Sequence, residues 1–141
     1  MFSKIASTLG AAVVVGGAML GITAPAHAES APGCGPVTQI GSTAYITSGG
    51  TNIGSVKQFK GCGKNWAYTY VWDSHAAEPG SFFSSAAMVV NGDRDFGSNV
   101  NGTNKQDVWS KGTNTLTKCT RAYGEVWGDG NVYWGQTDER C

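Results

Sequence analysis

The chain has few of the residues that build helical cores. From Glu29 onward, Leu116 is the only leucine and Met88 the only methionine. The apolar content lies instead in nine valines, three isoleucines and fourteen aromatic residues, with eleven threonines and seventeen glycines. Helices favour Leu, Ala, Glu, Lys and Arg, whereas Val, Thr and aromatic residues suit a pleated sheet. This composition predicts an all-β domain, either a small antiparallel sandwich or a barrel.

An excess of charge of either sign is also absent. From Glu29 onward the chain has nine basic and ten acidic side chains. A nucleic-acid-binding surface needs a basic stripe, and a membrane-surface helix needs a cationic amphipathic face. Neither pattern occurs, so we expect no nucleic-acid partner, and no membrane partner once the N-terminal segment is removed.

Only one long apolar run occurs, from Ile5 to Ile22. Lys4 precedes it, and Ala26-His27-Ala28 gives the small-x-small pattern that signal peptidase reads. A transmembrane anchor is the alternative, but the run is barely long enough to span a bilayer, and no basic stop-transfer cluster follows it. We therefore predict a signal peptide over residues 1–28 and a single secreted domain over residues 29–141.

Cysteines are few and widely spaced. The four of them form no Cys-x-x-Cys pair and have no histidine close by in the sequence, which disfavours zinc. An even number in an exported chain predicts two disulfides, with three possible connectivities. We favour Cys34–Cys62 and Cys119–Cys141 because each closes a local segment. Each bridge should stabilise the fold by roughly 3 kcal/mol.

Short runs of β-type residues alternate with turn residues along the chain. The turn segments are Ser48–Asn52, Lys60-Gly61 and Gly128-Asp129-Gly130, and the last of these predicts a tight hairpin. We expect polar loops over 73–80 and 92–106, and a strand or short helix over 82–91. The predicted strands are 43–47, 53–59, 65–72, 107–109, 115–120, 122–127 and 131–136.

Four large aromatic rings occupy every second position of one predicted strand, at Trp66, Tyr68, Tyr70 and Trp72. A strand would place all four on one face and Ala67, Thr69 and Val71 on the other. A domain this small needs its largest side chains for burial. That favours Trp66 and Trp72 in the core, with the tyrosine hydroxyls at its rim. The alternative is a platform on which a sugar or another flat ligand stacks.

No catalytic or metal-binding pattern is legible. Asp73-Ser74-His75 places three triad residue types side by side, where they cannot easily converge. The segment from Asn91 begins like a calcium loop, but it has Phe96 instead of glycine at the sixth position and Gly102 instead of glutamate at the twelfth. We therefore expect no catalytic residue, no metal and no cofactor.

The segment from Cys62 to Ala67, Cys-Gly-Lys-Asn-Trp-Ala, resembles a family of small exported proteins of unknown function from Gram-positive bacteria, chiefly actinobacteria. The family signature is a Gly-(Thr/Ser)-Val strand that leads into Cys-x-x-x-Trp-Ala-Arg, and here Gly54-Ser55-Val56 precedes Cys62. Tyr68 stands where the family has arginine, which implies a position at the rim of the fold. The resemblance implies a β-rich exported domain and no established activity. The likeness continues through 108–110, 118–122, 133–137 and Cys141.

Two functions fit this sequence. The first is a non-catalytic module outside the cell that binds cell-wall glycan, another surface polymer or a protein. Its candidate stacking residues are Trp66, Tyr68, Tyr70 and Trp72, and Trp127, Tyr133 and Trp134 are candidates to extend that surface. The second is a secreted antagonist, either a bacteriocin-like toxin or a protease inhibitor.

Overall fold

The computed structural model describes residues 29–141, so the predicted signal peptide lies outside the described residues. Within that range the chain forms nine strands and one short helix. No helix in residues 29–141 is long and apolar enough to cross a membrane. The elements are β1 (Glu29–Ala31), β2 (Gly35–Ser48), β3 (Thr51–Gly61), β4 (Lys64–Val71), α1 (Asp73–Ala76), β5 (Phe82–Val90), β6 (Asp93–Val100), β7 (Asp107–Trp109), β8 (Thr120–Gly128) and β9 (Asn131–Gln136).

The strands form two antiparallel sheets that pack face to face. The first sheet has the order β1-β2-β3-β4-β7 and the second has the order β6-β5-β8-β9. Hydrogen bonds also link the sheets along their sides: the Lys111 amide donates to the Gly97 carbonyl at 2.8 Å, and the Ser42 amide donates to Asp138 Oδ1 at 3.1 Å. The sandwich is therefore nearly closed, and the predicted all-β antiparallel class is confirmed.

Four two-residue turns connect neighbouring strands, and all of them need backbone with positive φ. The turns lie at 49–50, 62–63, 91–92 and 129–130, with φ values between 51° and 82°. Two consecutive residues of this kind form the turn whose twist matches that of paired strands. Each turn has glycine at its second position, which adopts this conformation without strain. The hairpin predicted at Asp129-Gly130 is confirmed.

Three sequence-based assignments are corrected by the structure. The polar segment 92–106 contains β6, an edge strand whose backbone pairs with β5 although its side chains are mostly exposed. The segment 115–120 was expected to be a strand, but it forms a turn and enters the sheet only at Thr120. The expected loop 73–80 begins with the short helix α1. The ambiguous segment 82–91 is a strand, β5.

Small and medium-sized side chains fill the space between the two sheets. Ala67 and Val71 of β4 face Ala86 and Met88 of β5 across this space, and all four are fully buried. Gly124 of β8 packs so tightly that a Cβ there would collide with Thr69 Oγ1 of the opposite sheet. The interior therefore has no room for large rings at this level.

A second hydrophobic cluster lies on the outer side of the first sheet. Phe59 is fully buried there and Trp66 is 7 % exposed, beneath Ala31 and Val37 from the start of the described chain. Ring burial at this end thus depends on the N-terminal hairpin of β1 and β2 rather than on the opposite sheet.

Both favoured disulfides are present. Cys34–Cys62 joins the start of β2 to the turn after β3, with the Cα atoms 5.9 Å apart. Cys119–Cys141 ties the residue before β8 to the last residue of the sequence. The first bridge holds the N-terminal hairpin against Phe59 and Trp66, and residues 29–141 contain no free cysteine.

Candidate functional site

The three rings of β4 and Trp72, the residue after it, share one face, as predicted, but that face is the outside of the sandwich. The alternating residues Ala67, Thr69 and Val71 point inward and are fully buried. Trp66 is buried beneath the N-terminal hairpin, where its Nε1 donates to the Gly61 carbonyl at 3.0 Å. Trp72 is only half-buried, so the expectation that Trp72 belongs to the core is wrong.

The aromatic row continues onto β7, beside β4, and onto β2, two strands away on the other side. The rings of Tyr68 and Trp109 lie 4.6 Å apart between centroids, and the edge of Tyr45 meets Trp72 at 6.0 Å. Tyr45 is 53 % exposed and the others are half-buried. We call this surface the first aromatic face; its members are Tyr45, Tyr68, Tyr70, Trp72 and Trp109.

Hydrogen bonds fix the polar edge of the first aromatic face. The Tyr70 hydroxyl donates to Asp73 Oδ1 at 3.0 Å, and Gln106 Nε2 donates to the same oxygen at 2.7 Å. The bonds from Gln106 and then Tyr70 lower the pKa of Asp73, whereas the bond to Asp73 raises the pKa of Tyr70. Asp73 is thus held as a carboxylate that orients Tyr70.

Burial and negative charge keep Tyr68 protonated on the same face. Burial raises the pKa of its hydroxyl, and the carboxylate of Glu29 raises it further. Glu29 itself accepts a hydrogen bond from Lys57 Nζ at 3.0 Å. The face therefore offers aromatic rings and neutral hydroxyls, with the carboxylates of Glu29, Asp73 and Asp107 at its margin.

A second set of rings lies on the opposite side of the molecule. Trp127 of β8 and Trp134 of β9 point outward from the second sheet, beside Phe83 and Val132. Trp127, Tyr133 and Trp134 are the residues predicted to extend the β4 row. The structure separates them from that row, and Tyr133 packs against the core instead.

Arg94 of β6 lies across two of the rings on this second side. Its guanidinium carbon is 4.8 Å from the centroid of Tyr123 and 5.3 Å from that of Trp134. The Tyr123 hydroxyl donates to Glu125 Oε1 at 2.5 Å. Burial and then this bond raise the pKa of Tyr123 to about 12, while Arg94 acts in the opposite direction.

Between β6 and β8 the second sheet has a groove of about 370 Å³. Its floor is formed by Ser85 and Ala87, two small residues of β5 that face outward. This groove was not predicted from the sequence, because the segment that forms β6 was expected to be a loop. The Asn91-Gly92 pair after Val89-Val90 was the available signal, since such a pair predicts a hairpin and a returning strand.

The residues considered for a catalytic triad and for a calcium loop have other partners in the structure. His75 Nδ1 lies 3.2 Å from Glu78 Oε2, while the Asp73 carboxylate is occupied by Tyr70 and Gln106. Asp93 Oδ1 accepts a hydrogen bond from the Asp95 amide. Residues 29–141 contain no group of three or more His, Cys, Asp or Glu side chains placed to hold a metal.

The position of its aromatic rings is the most informative feature of this molecule. The partly exposed rings lie on the outer faces of the two sheets, on opposite sides of the sandwich, whereas Phe59, Trp66 and Phe82 are buried. Comparisons with protein-family models, with curated proteins and with solved structures find no match for this chain.

Proposed function

We propose that this protein is a non-catalytic binding module, secreted after removal of residues 1–28, that holds a surface glycan outside the cell. The first aromatic face is the contact surface. The two disulfides support an oxidising, extracellular setting, because such bridges form and persist there. The observation that carries the proposal is the outward placement of rings on a sheet whose inner face holds small and medium-sized side chains.

Exposed rings are costly for a domain with so little leucine. Each ring can bury about 150–250 Å², and burial stabilises by roughly 25 cal/mol per Å². Leaving Tyr45, Tyr70 and Trp72 accessible therefore forgoes stabilisation that the fold could use. Contiguous apolar surface that is retained on a monomer is typical of interaction sites.

The chemistry of the first aromatic face suits a sugar polymer. The C–H faces of a pyranose ring pack on the flat faces of aromatic side chains, and neighbouring hydroxyls of the sugar reach polar groups at the rim. Tyr70, Asp73 and Gln106 form a fixed polar rim beside Trp72. A row of rings on the outer face of a sheet, with such a margin, fits an extended chain better than a small molecule enclosed in a pocket.

Glycan binding to this face can be measured through tryptophan fluorescence. Purified protein is titrated with cellohexaose, xylohexaose, chitohexaose and soluble peptidoglycan fragments. We expect at least one of them to change the emission, and Trp72→Ala to weaken its binding by about tenfold or more. Leu116→Ala is the matched control, because Leu116 is apolar and exposed but lies outside both aromatic surfaces.

The result that would refute the proposal is an unchanged spectrum with every glycan, or equal affinities for Trp72→Ala and the unsubstituted protein. Growth inhibition of neighbouring bacteria or inhibition of secreted proteases, without any glycan binding, would point to the antagonist function instead. Circular dichroism and thermal unfolding of each variant confirm that a loss of binding does not reflect a loss of fold.

A further inference from the structure

We propose that the groove on the second sheet is a separate binding site for one uncharged pyranose unit of a glycan. This site goes beyond the proposed function, because none of its residues belongs to the first aromatic face. It lies between the strands β6 and β8 and is lined by Ser85, Ala87, Arg94, Asp95, Glu125 and Trp127.

The groove exists because small residues stand between larger ones on a flat sheet. On β5, Ser85 pairs with Glu125 of β8, and Ala87 pairs with Tyr123. Side chains directly opposite each other on one sheet face are neighbours. The short side chains of Ser85 and Ala87 thus leave a trough beside the longer side chains of β8. Its volume of about 370 Å³ falls within the range of small-ligand sites.

Trp127 supplies an aromatic wall to this trough. It pairs with Phe83 on β5 and with Val132 on β9, so its ring lies among apolar neighbours at one end of the groove. Val100 of β6 adds an apolar surface on the other side. These groups suit the C–H face of a sugar ring, whereas the hydroxyls of the sugar must meet polar groups elsewhere in the groove.

The charged side chains of the groove form no salt bridges within residues 29–141. None of the salt bridges within residues 29–141 involves Arg94, Asp95 or Glu125. The two carboxylates outnumber the single guanidinium, which lies over the rings of Tyr123 and Trp134, so the charge of the groove disfavours an anionic ligand. A neutral ligand that both donates and accepts hydrogen bonds matches this mixture. The hydroxyls of a pyranose do both.

The polar groups are also held in place before any ligand arrives. Arg94 stacks against Tyr123 and Trp134, and the Tyr123 hydroxyl holds Glu125 Oε1 at 2.5 Å. The other oxygen of Glu125 remains able to accept a hydrogen bond from a sugar hydroxyl. Fixed partners reduce the entropy that ordering costs on binding.

The test uses the same folded protein with ¹⁵N-labelled amides. Titration with cellohexaose, xylohexaose and chitohexaose should shift the signals of Ser85, Ala87 and the Trp127 indole for at least one of them. A hexamer of galacturonate should bind about tenfold more weakly or not at all, since its carboxylates face those of the groove. Glu125→Gln and Trp127→Ala should each weaken binding by about tenfold or more.

Trp72→Ala separates this proposal from the proposed function. That variant should leave the shifts in the groove intact even where it abolishes binding to the first aromatic face. The groove proposal is overturned if no neutral oligosaccharide shifts the groove signals, if the galacturonate hexamer binds more tightly than the neutral chains, or if Glu125→Gln binds as the unsubstituted protein does. Glu125→Gln conserves shape, so its fold can be verified by an unchanged amide spectrum outside the groove.

Discussion

Substituting Gly124 by alanine tests why the aromatic rings lie outside the sandwich. Gly124 is on β8 and faces the first sheet, where a Cβ would collide with Thr69 Oγ1 and would lie 2.8 Å from Val56 Cγ2. Thr69 and Val56 are fully buried, so neither can swing into solvent. The backbone of Gly124 has no positive φ, and packing alone therefore opposes the substitution.

The expected cost follows from this overlap. Adding a methyl group to a well-packed core destabilises by about 1–3 kcal/mol. For a domain of this size, each kcal/mol lowers the Tm by roughly 4 °C, so Gly124→Ala should lower it by roughly 4–12 °C. The measurement is equilibrium unfolding in guanidinium chloride, followed by tryptophan fluorescence with both disulfides intact.

Thr69→Ala provides the second arm of a double-mutant cycle. Removing Oγ1 takes away the atom nearest to the new methyl group, so Gly124→Ala should cost less in the Thr69→Ala background. A coupling of about 1 kcal/mol or more is expected for residues in direct contact. Gly102→Ala is the control, because its nearest atom is Lys105 Cγ at 3.8 Å. Two results would refute the explanation that close packing of Gly124 against the first sheet leaves no room for rings: a Gly124→Ala protein as stable as the unsubstituted one, or a cycle without coupling.

Two further predictions concern the bridge over the first sheet and the ionisation of Tyr123. Replacing Cys34 and Cys62 together by serine should lower the free energy of unfolding by about 3 kcal/mol. It should also make the fluorescence of Trp66 easier to quench with acrylamide. Unchanged quenching would show that the bridge does not hold the N-terminal hairpin over Trp66. The pKa of Tyr123 is raised from 10.0 to about 12 in the folded state. The protonated hydroxyl therefore stabilises the folded protein fully below the pKa that Tyr123 has in the unfolded chain. This stabilisation should be lost as the pH rises from about 10 to about 12. The stability of Tyr123→Phe should decline less steeply across that range, and an equal decline in both proteins would contradict the raised pKa that burial and the hydrogen bond to Glu125 give Tyr123.

The all-β class of this fold was predictable because the amino-acid composition and the turn residues both indicate strands. Little leucine, much valine and threonine, and frequent glycine all favour strands. The hairpin at Asp129-Gly130 was also readable, since the residues on both sides of it alternate. The disulfide pairing followed from local spacing alone. The resemblance to exported actinobacterial proteins stays a prediction.

The side on which the rings lie was not predictable from β4 alone. Alternation separates Trp66, Tyr68, Tyr70 and Trp72 from Ala67, Thr69 and Val71, but both sets are partly apolar, and either can face a core. The outcome depends on β8, which is distant in sequence and brings Gly124 against Thr69. A local pattern cannot report which strand lies opposite. The prediction that Trp72 lies in the core, which rested on the size of its ring, was therefore wrong.

Edge strand β6 was missed for a related reason. Its residues, Asp93 to Val100, are polar and mostly exposed, and its pairing with β5 rests on backbone hydrogen bonds. Hydrophobic periodicity detects burial, and this strand has almost none. The missed strand carries Arg94 and Asp95, so the groove on the second sheet could not have been assembled from sequence.

The two aromatic surfaces differ in a way that bears on how one small domain could hold a polymer. The first aromatic face is a row of rings beside which Lys57 pairs with Glu29 and Asp73 accepts two hydrogen bonds. The groove instead holds Arg94, Asp95 and Glu125 outside any ion pair within residues 29–141. A surface row of rings selects for shape and tolerates many sugars, whereas a groove with fixed polar groups discriminates among hydroxyl patterns. Because the two surfaces lie on opposite sheets, occupancy of one does not block the other. A molecule that uses both would join two glycan chains, and loss of either site would leave a binder that no longer cross-links.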